Sequence, residues 1–362
     1  MVYFDNASTT HVSKAVLDEA MPFLTYNFGN PSSVHHAGVV AKNAITLARK
    51  RCAKAINAEP EQIIFTSGAT ESNNLVAQQG EMLVSPYEHP SMQRNNVFYD
   101  LPLSINKMGR CGEGNVIVSQ MFVNNEIGTI FDIKHCAELA HNAGYRFHTD
   151  ATQAFGHVKI DVKELDCDFL SLSGHKFHAP KGVGLLYVKE PDKLCNTNIG
   201  GGQENGYRSG TENVFGIVAL GKAMATYNYT EARGVHFNEL KTALLNRLEK
   251  TCPVEYKINE IEGLPTVGNI INISFKGINA EGLCTLLDFD GFMISQGSAC
   301  HSGSLEPSKV LKEIGVPDDY IYGTIRISFG LGNTYTEIYQ FVECLVKHLN
   351  VLSKIDTKEN LI

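Results

Sequence analysis

The stretch Ser171-Leu-Ser-Gly-His-Lys176 decides the reading of this chain. The residues around it, Asp168-Phe-Leu-Ser-Leu and Gly182-Val-Gly-Leu-Leu-Tyr-Val, read as two short buried strands. A lysine at the end of the first, flanked by Ser173 and His175, can present its amine to a crevice instead of solvent. In an open α/β sheet, ligands gather at such carboxyl ends of strands. Taken alone, Lys176 reads as an ordinary solvated loop lysine.

His148-Thr-Asp150-Ala-Thr-Gln153 changes that, because it also follows a strand-like run, Gly144-Tyr-Arg-Phe. Without Lys176, Asp150 would read as a cap for the next helix. Together the two residues match what pyridoxal phosphate (PLP) requires. The cofactor takes a Schiff-base lysine, and a carboxylate against its pyridine nitrogen keeps the ring an electron acceptor. Ile63-Ile-Phe-Thr-Ser-Gly68-Ala-Thr70-Glu-Ser-Asn-Asn74 runs from an apolar strand through a glycine turn into a helix, a start that favours a phosphate. Thr-Ser-Gly turns also make plain caps, so this segment gains meaning from its company. The same holds for His89, in Tyr87-Glu-His89, whose ring can stack on the cofactor.

Seven segments, in order, resemble the cysteine desulfurases of the NifS/IscS type, within the fold-type I, class V aminotransferase group. They are Phe4-Asp-Asn-Ala-Ser-Thr-Thr10, Thr66-Ser-Gly-Ala-Thr-Glu-Ser-Asn73, Asn124-Asn-Glu-Ile-Gly128, the Asp150 and Lys176 segments, Arg208-Ser-Gly-Thr-Glu-Asn213 and Gly297-Ser-Ala-Cys300. The resemblance implies a mainly parallel seven-stranded sheet flanked by helices, plus a smaller α+β domain. It implies a large domain over 13–225 and a discontinuous small domain built from 1–12 with 226–362. By resemblance, Ala69, Thr70, Ser173 and His175 hold the phosphate, with Thr211 contributed across a homodimer. Asp150 meets the ring nitrogen, Gln153 the phenolic oxygen, and Asn125 and Arg326 orient L-cysteine. Lys176 takes the α-proton, with His89 aiding. Cys300 then attacks the substrate sulfur, leaving alanine and a persulfide for an acceptor protein in iron–sulfur cluster assembly or tRNA thiolation.

Composition sets bounds on these readings. At 362 residues the chain is long enough for two structural units, and its 43% hydrophobic content supplies a substantial core. A formal charge of −8 argues against a general nucleic-acid surface. No apolar run approaches a membrane span, and the start lacks the regions of a signal peptide, so a cytoplasmic protein is expected. Nine cysteines without CxxC spacing give no metal signature and fit a reducing compartment. Apolar stretches alternate with helical patterns from about residue 13 to 225. Beyond it, Phe237–Leu248 and Tyr335–Leu349 read as helices and Asn269–Phe275 as an alternating strand. A polar tail from Ser353 is expected to be disordered.

Cys300 stands apart from the other cysteines. It lies in Ser295-Gln-Gly-Ser-Ala-Cys-His-Ser-Gly-Ser-Leu305, a loop of small and polar residues expected to be exposed and mobile. There a thiol can reach substrate and then an acceptor, and His301 can favour the thiolate. Arg326, in Gly323-Thr-Ile-Arg-Ile-Ser-Phe329, has a guanidinium suited to gripping a carboxylate. The chain departs from the family in three places: a short segment between Tyr99 and Gln120, Asn205 where arginine commonly follows Gly-Gly-Gly-Gln-Glu, and Gly330-Leu-Gly332. Two rival readings share these residues. A selenocysteine lyase or other C–S lyase would not need Cys300, and a non-catalytic sulfur-trafficking subunit would need neither Lys176 nor Asp150.

Overall fold

Continuous apolar runs such as Ile63–Thr66, Val116–Ser119 and Gly184–Val188 have no polar face to offer water, so they form strands buried on both sides. The computed structural model describes residues 1–93, 97–98, 115–196, 198–296 and 307–359. Two compact units result. One comprises Thr10–Phe122 and Phe131–Tyr229; the other comprises Met1–Thr9, Val123–Ile130 and Thr230–Ile362.

The first unit is built on a seven-stranded sheet. Its spatial order is Ile63–Thr66, Gly184–Val188, Phe169–Ser173, Arg146–Asp150, Val116–Ser119, Glu81–Val84 and Val97–Phe98. Only Gly184–Val188 runs antiparallel to its neighbours. A parallel crossover takes about a dozen residues or more, and the link 174–183 is too short for one. Helices fill the connections between the parallel strands. Ile133–Asn142 is one, started by the Asp132 side chain accepting from the His135 N–H and stopped before Gly144, whose φ is 82°. Ile64, Leu75, Val76, Val84, Ile117, Phe169 and Leu186 pack in a core between sheet and helix.

The second unit carries a four-stranded antiparallel sheet in the order Ser295–Gln296, Thr324–Ser328, Ile270–Phe275, Tyr256–Ile258. Phe237, Leu240, Leu244 and Leu248 recur at helical spacing on Glu231–Thr251 and pack with Ile338, Phe341 and Leu345 of Tyr335–Glu359. The alternation expected in Ile270–Phe275 is real, yet every residue is buried. Its polar positions meet partners instead of water: Asn259 Nδ2 donates to Asn272 Oδ1 and to Ser274 Oγ, each at 2.6 Å. The C-terminal helix corrects another expectation. It continues through Ser353 to Glu359, where a disordered tail was expected, because Ser353-Lys-Ile-Asp-Thr-Lys-Glu contains no helix breaker.

Asp290 ties this helix to Ala280–Phe289. Its Oδ2 accepts from His348 Nε2 at 2.8 Å, Lys347 Nζ at 2.9 Å and Cys344 Sγ at 3.2 Å. Among the described residues this is the one Cys/His/carboxylate group close enough to share a cation, but the Lys347 ammonium already lies on the same oxygen.

Candidate active site

The Lys176 segment is held from outside the sheet. Strand Phe169–Ser173 passes into a single 3-10 turn, Gly174–Lys176, whose His175 carbonyl accepts from both the Thr10 N–H (2.8 Å) and the Thr10 hydroxyl (2.9 Å). The His178 N–H then donates to Thr10 Oγ at 2.8 Å, and His178 sits at φ 69°, a left-handed conformation that non-glycine residues enter reluctantly. Lys176 is therefore bracketed on both sides. Burial, Lys176 and Lys181 lower the His175 imidazole to about 4, so it is neutral at physiological pH.

Asp150 ends the neighbouring parallel strand, so Lys176 and Asp150 stand on one edge of one sheet. Its carboxylate is 4% exposed. Oδ1 accepts from the Thr152 N–H at 3.0 Å and Oδ2 from Asn73 Nδ2 at 2.9 Å. Each oxygen has a further lone pair, which suits a pyridine N–H. Gln153 is buried three residues on.

Helix Ala69–Ala77 begins at Gly68 with no side-chain cap, so its first N–H groups point outward for an anion. Gly68 has φ 152°, and a Cβ built on it would lie 3.2 Å from Ser173 Oγ. The helix start and the end of the lysine strand thus meet where Gly68 faces Ser173. Burial would raise the Glu71 carboxyl in the same turn, but Arg208 and Ser67 outweigh it and hold it ionised below its ordinary value. These residues fit PLP: uncapped amides and a hydroxyl for its phosphate, a buried carboxylate for its nitrogen and a braced lysine for its aldehyde.

A buried network lies behind them that sequence reading missed. Ser119 Oγ donates to Glu88 Oε1 at 3.0 Å and contacts His148 Nδ1 at 2.8 Å, while His148 Nε2 lies 3.0 Å from Ser171 Oγ. All four residues are buried. Burial and then the nearby Asp150 charge push the Glu88 carboxyl up to about 8, and burial takes His148 down to about 4. Both are neutral at pH 7. The period-two spacing of His148 and Asp150 was the signal available for one of them.

In the second unit, Arg326 is 2% exposed on Thr324–Ser328. Its Nη1 donates to the Asn125 carbonyl at 2.8 Å, and its Nη2 donates to Ser8 Oγ at 2.6 Å and Asp5 Oδ1 at 3.0 Å. Asn125 and Arg326 are thus brought together, tied to the N-terminal motif. Thr211 is exposed in a loop of the first unit. Asn205 gains a backbone reason: Glu204, Asn205 and Gly206 have φ of 50°, 55° and 86°, and asparagine tolerates that region better than most residues. Cys300 and His301 lie outside the described residues.

The geometry has counterparts among known proteins. The profile of the family Aminotransferase class-V matches residues 2–93 and 109–341. This chain belongs to the class V aminotransferase family, and PLP is its cofactor. It is 40% identical over 389 residues to the cysteine desulfurase IscS of Methanosarcina thermophila, covering 99% of this chain and 95% of that one. The NifS-like protein from Rickettsia africae superimposes with a TM-score of 0.85 at 28% identity, over 97% of this chain and 99% of its own. SspA, solved in complex with cysteine, gives 0.77 at 31% identity, over 91% and 99%.

Proposed function

We infer that this chain is a PLP-dependent cysteine desulfurase, converting L-cysteine to L-alanine and delivering the sulfur as a persulfide on Cys300. The observation that carries the reading is the pairing of a braced Lys176 with a buried Asp150 on adjacent strand ends, in a chain that matches cysteine desulfurases along nearly its whole length. When bound, PLP supplies the electron sink that makes the Cα proton acidic and the Cβ–sulfur bond labile.

In this reading the protein's own residues have separate tasks. Lys176 Nζ is the attachment point of the cofactor and, once displaced by substrate, the acceptor of the α-proton. Asp150 keeps the pyridine nitrogen protonated, Gln153 meets the phenolic oxygen, and Ala69, Thr70, Ser173 and His175 carry the phosphate. Arg326 and Asn125 take the substrate carboxylate. The Arg326 Nε, buried without a partner among the described residues, supports that role. The Cys300 thiolate would attack the substrate sulfur, forming the S–S bond as the Cβ–S bond breaks. The electron pair of that bond stays with Cβ, which takes up a proton, and Lys176 returns the α-proton to Cα to complete alanine.

The same proposal assigns the sheet unit to the cofactor and the other unit to the Cys300 loop. It includes a homodimer in which Thr211 serves the partner's phosphate. Leu24, Tyr26, Phe28 and Val34, all more than half exposed along one segment, support such an interface. The acceptor is a protein of sulfur transfer to iron–sulfur clusters or thiolated tRNA.

The test is Cys300→Ala. It should keep the cofactor's visible absorbance and lose the persulfide measured after L-cysteine is added. Alanine and sulfide released at the parent rate would remove Cys300 from the reaction and favour a general C–S lyase.

A further inference from the structure

His89 Nδ1 lies 3.2 Å from the backbone nitrogen of Ser91 and 2.8 Å from its Oγ. The first contact has only one sense. A backbone N–H donates, so Nδ1 accepts. The second is compatible with it. Asn73 Nδ2 has two protons, one directed at Asp150 Oδ2 (2.9 Å) and one at Ser91 Oγ (2.8 Å). With one lone pair taken by Asn73, Ser91 Oγ keeps its own proton, which can share the Nδ1 lone pair with the Ser91 N–H.

We propose that Ser91 and Asn73 are positioning residues that hold His89 as its Nε2–H tautomer and tie it to Asp150. In this state His89 donates a hydrogen bond from Nε2 and does not serve as the base. Protonating Nδ1 would set its N–H against the backbone N–H of Ser91, leaving two donors in conflict. Proton abstraction then falls to Lys176. His89 steers the group it faces. The chain His89–Ser91–Asn73–Asp150 crosses three elements, Pro90–Gln93, Ala69–Ala77 and Arg146–Asp150, so the two ring contacts proposed for the cofactor share one set of hydrogen bonds. This inference rests on the PLP reading for its consequence, and on the hydrogen bonds alone for the tautomer.

Nitrogen-15 NMR of protein labelled at histidine tests it, with the His89 signals identified by their loss in His89→Gln. The parent protein should show His89 protonated at Nε2 and unprotonated at Nδ1. Ser91→Ala should move these signals toward a mixture of tautomers and lower kcat about ten-fold, the low end of what losing an orienting partner costs, with KM little changed. Ser91→Thr, which restores a hydroxyl, should recover both. A parent spectrum with the proton on Nδ1, or Ser91→Ala with unaltered His89 signals, overturns the proposal. The parent spectrum decides even if Ser91→Ala fails to fold. It is also independent of turnover: a parent that holds the tautomer but leaves cysteine intact would refute the desulfurase reading and not this one.

Discussion

Single residues at the site were legible where their chemistry depends on a strand end. Lys176 and Asp150 each follow an apolar run, and the observed sheet sets those runs side by side. Asn73 and Thr10 were not legible in this way, because each acts through a partner distant in sequence. Asn73 reaches Asp150 across 77 positions and Thr10 reaches His175 across 165. Two substitutions belong to this scale. Gly68→Ala puts a Cβ at φ 152° and against Ser173 Oγ. It should cost about 1 kcal/mol or more and weaken PLP binding ~5-fold, read by titrating apoprotein with cofactor. Arg326→Lys keeps the charge but loses the planar fork that meets Asn125, Asp5 and Ser8. The KM for cysteine should rise about ten-fold while the cofactor spectrum stays unchanged.

Among the elements, the strand carrying His148 and Asp150 and the turn carrying Glu88 enclose a pair of neutralised groups. The folded-state pKa of Glu88 lies above its unfolded value, so between roughly pH 4.5 and 8 the native protein holds a proton that the unfolded chain releases. Stability therefore falls as pH rises through that window. Glu88→Gln, which keeps the shape and loses the charge, should flatten the loss, as measured by urea unfolding at pH 5 and pH 8. Equal slopes for the two proteins would show that Glu88 is ionised in the fold. Apolar periodicity revealed most helices and strands. It failed where polar residues are buried with polar partners, as with Asn272 and Ser274, whose partners Asn259 and Glu126 lie in loops.

For the whole molecule, motif order revealed the architecture before any strand was placed, and the matches at 37–40% identity extend over most of the chain. Sequence periodicity could not show that Val123–Ile130 joins the second unit, since that depends on pairings such as Thr129 with Thr266. The proposed dimer should sediment at twice the 39.8 kDa of one chain. Tyr26→Glu with Phe28→Glu should shift it toward the monomer and lower PLP retention, because Thr211 would then no longer reach a neighbour's phosphate.

The attachment of the cofactor to one amine underlies every role assigned above. Borohydride reduction of freshly purified protein, followed by peptide mass analysis, reads it directly. A pyridoxyl adduct on Lys176, absent from Lys176→Ala, is the expected result. Protein that holds PLP yet carries the adduct on another lysine, or on none, would contradict the account.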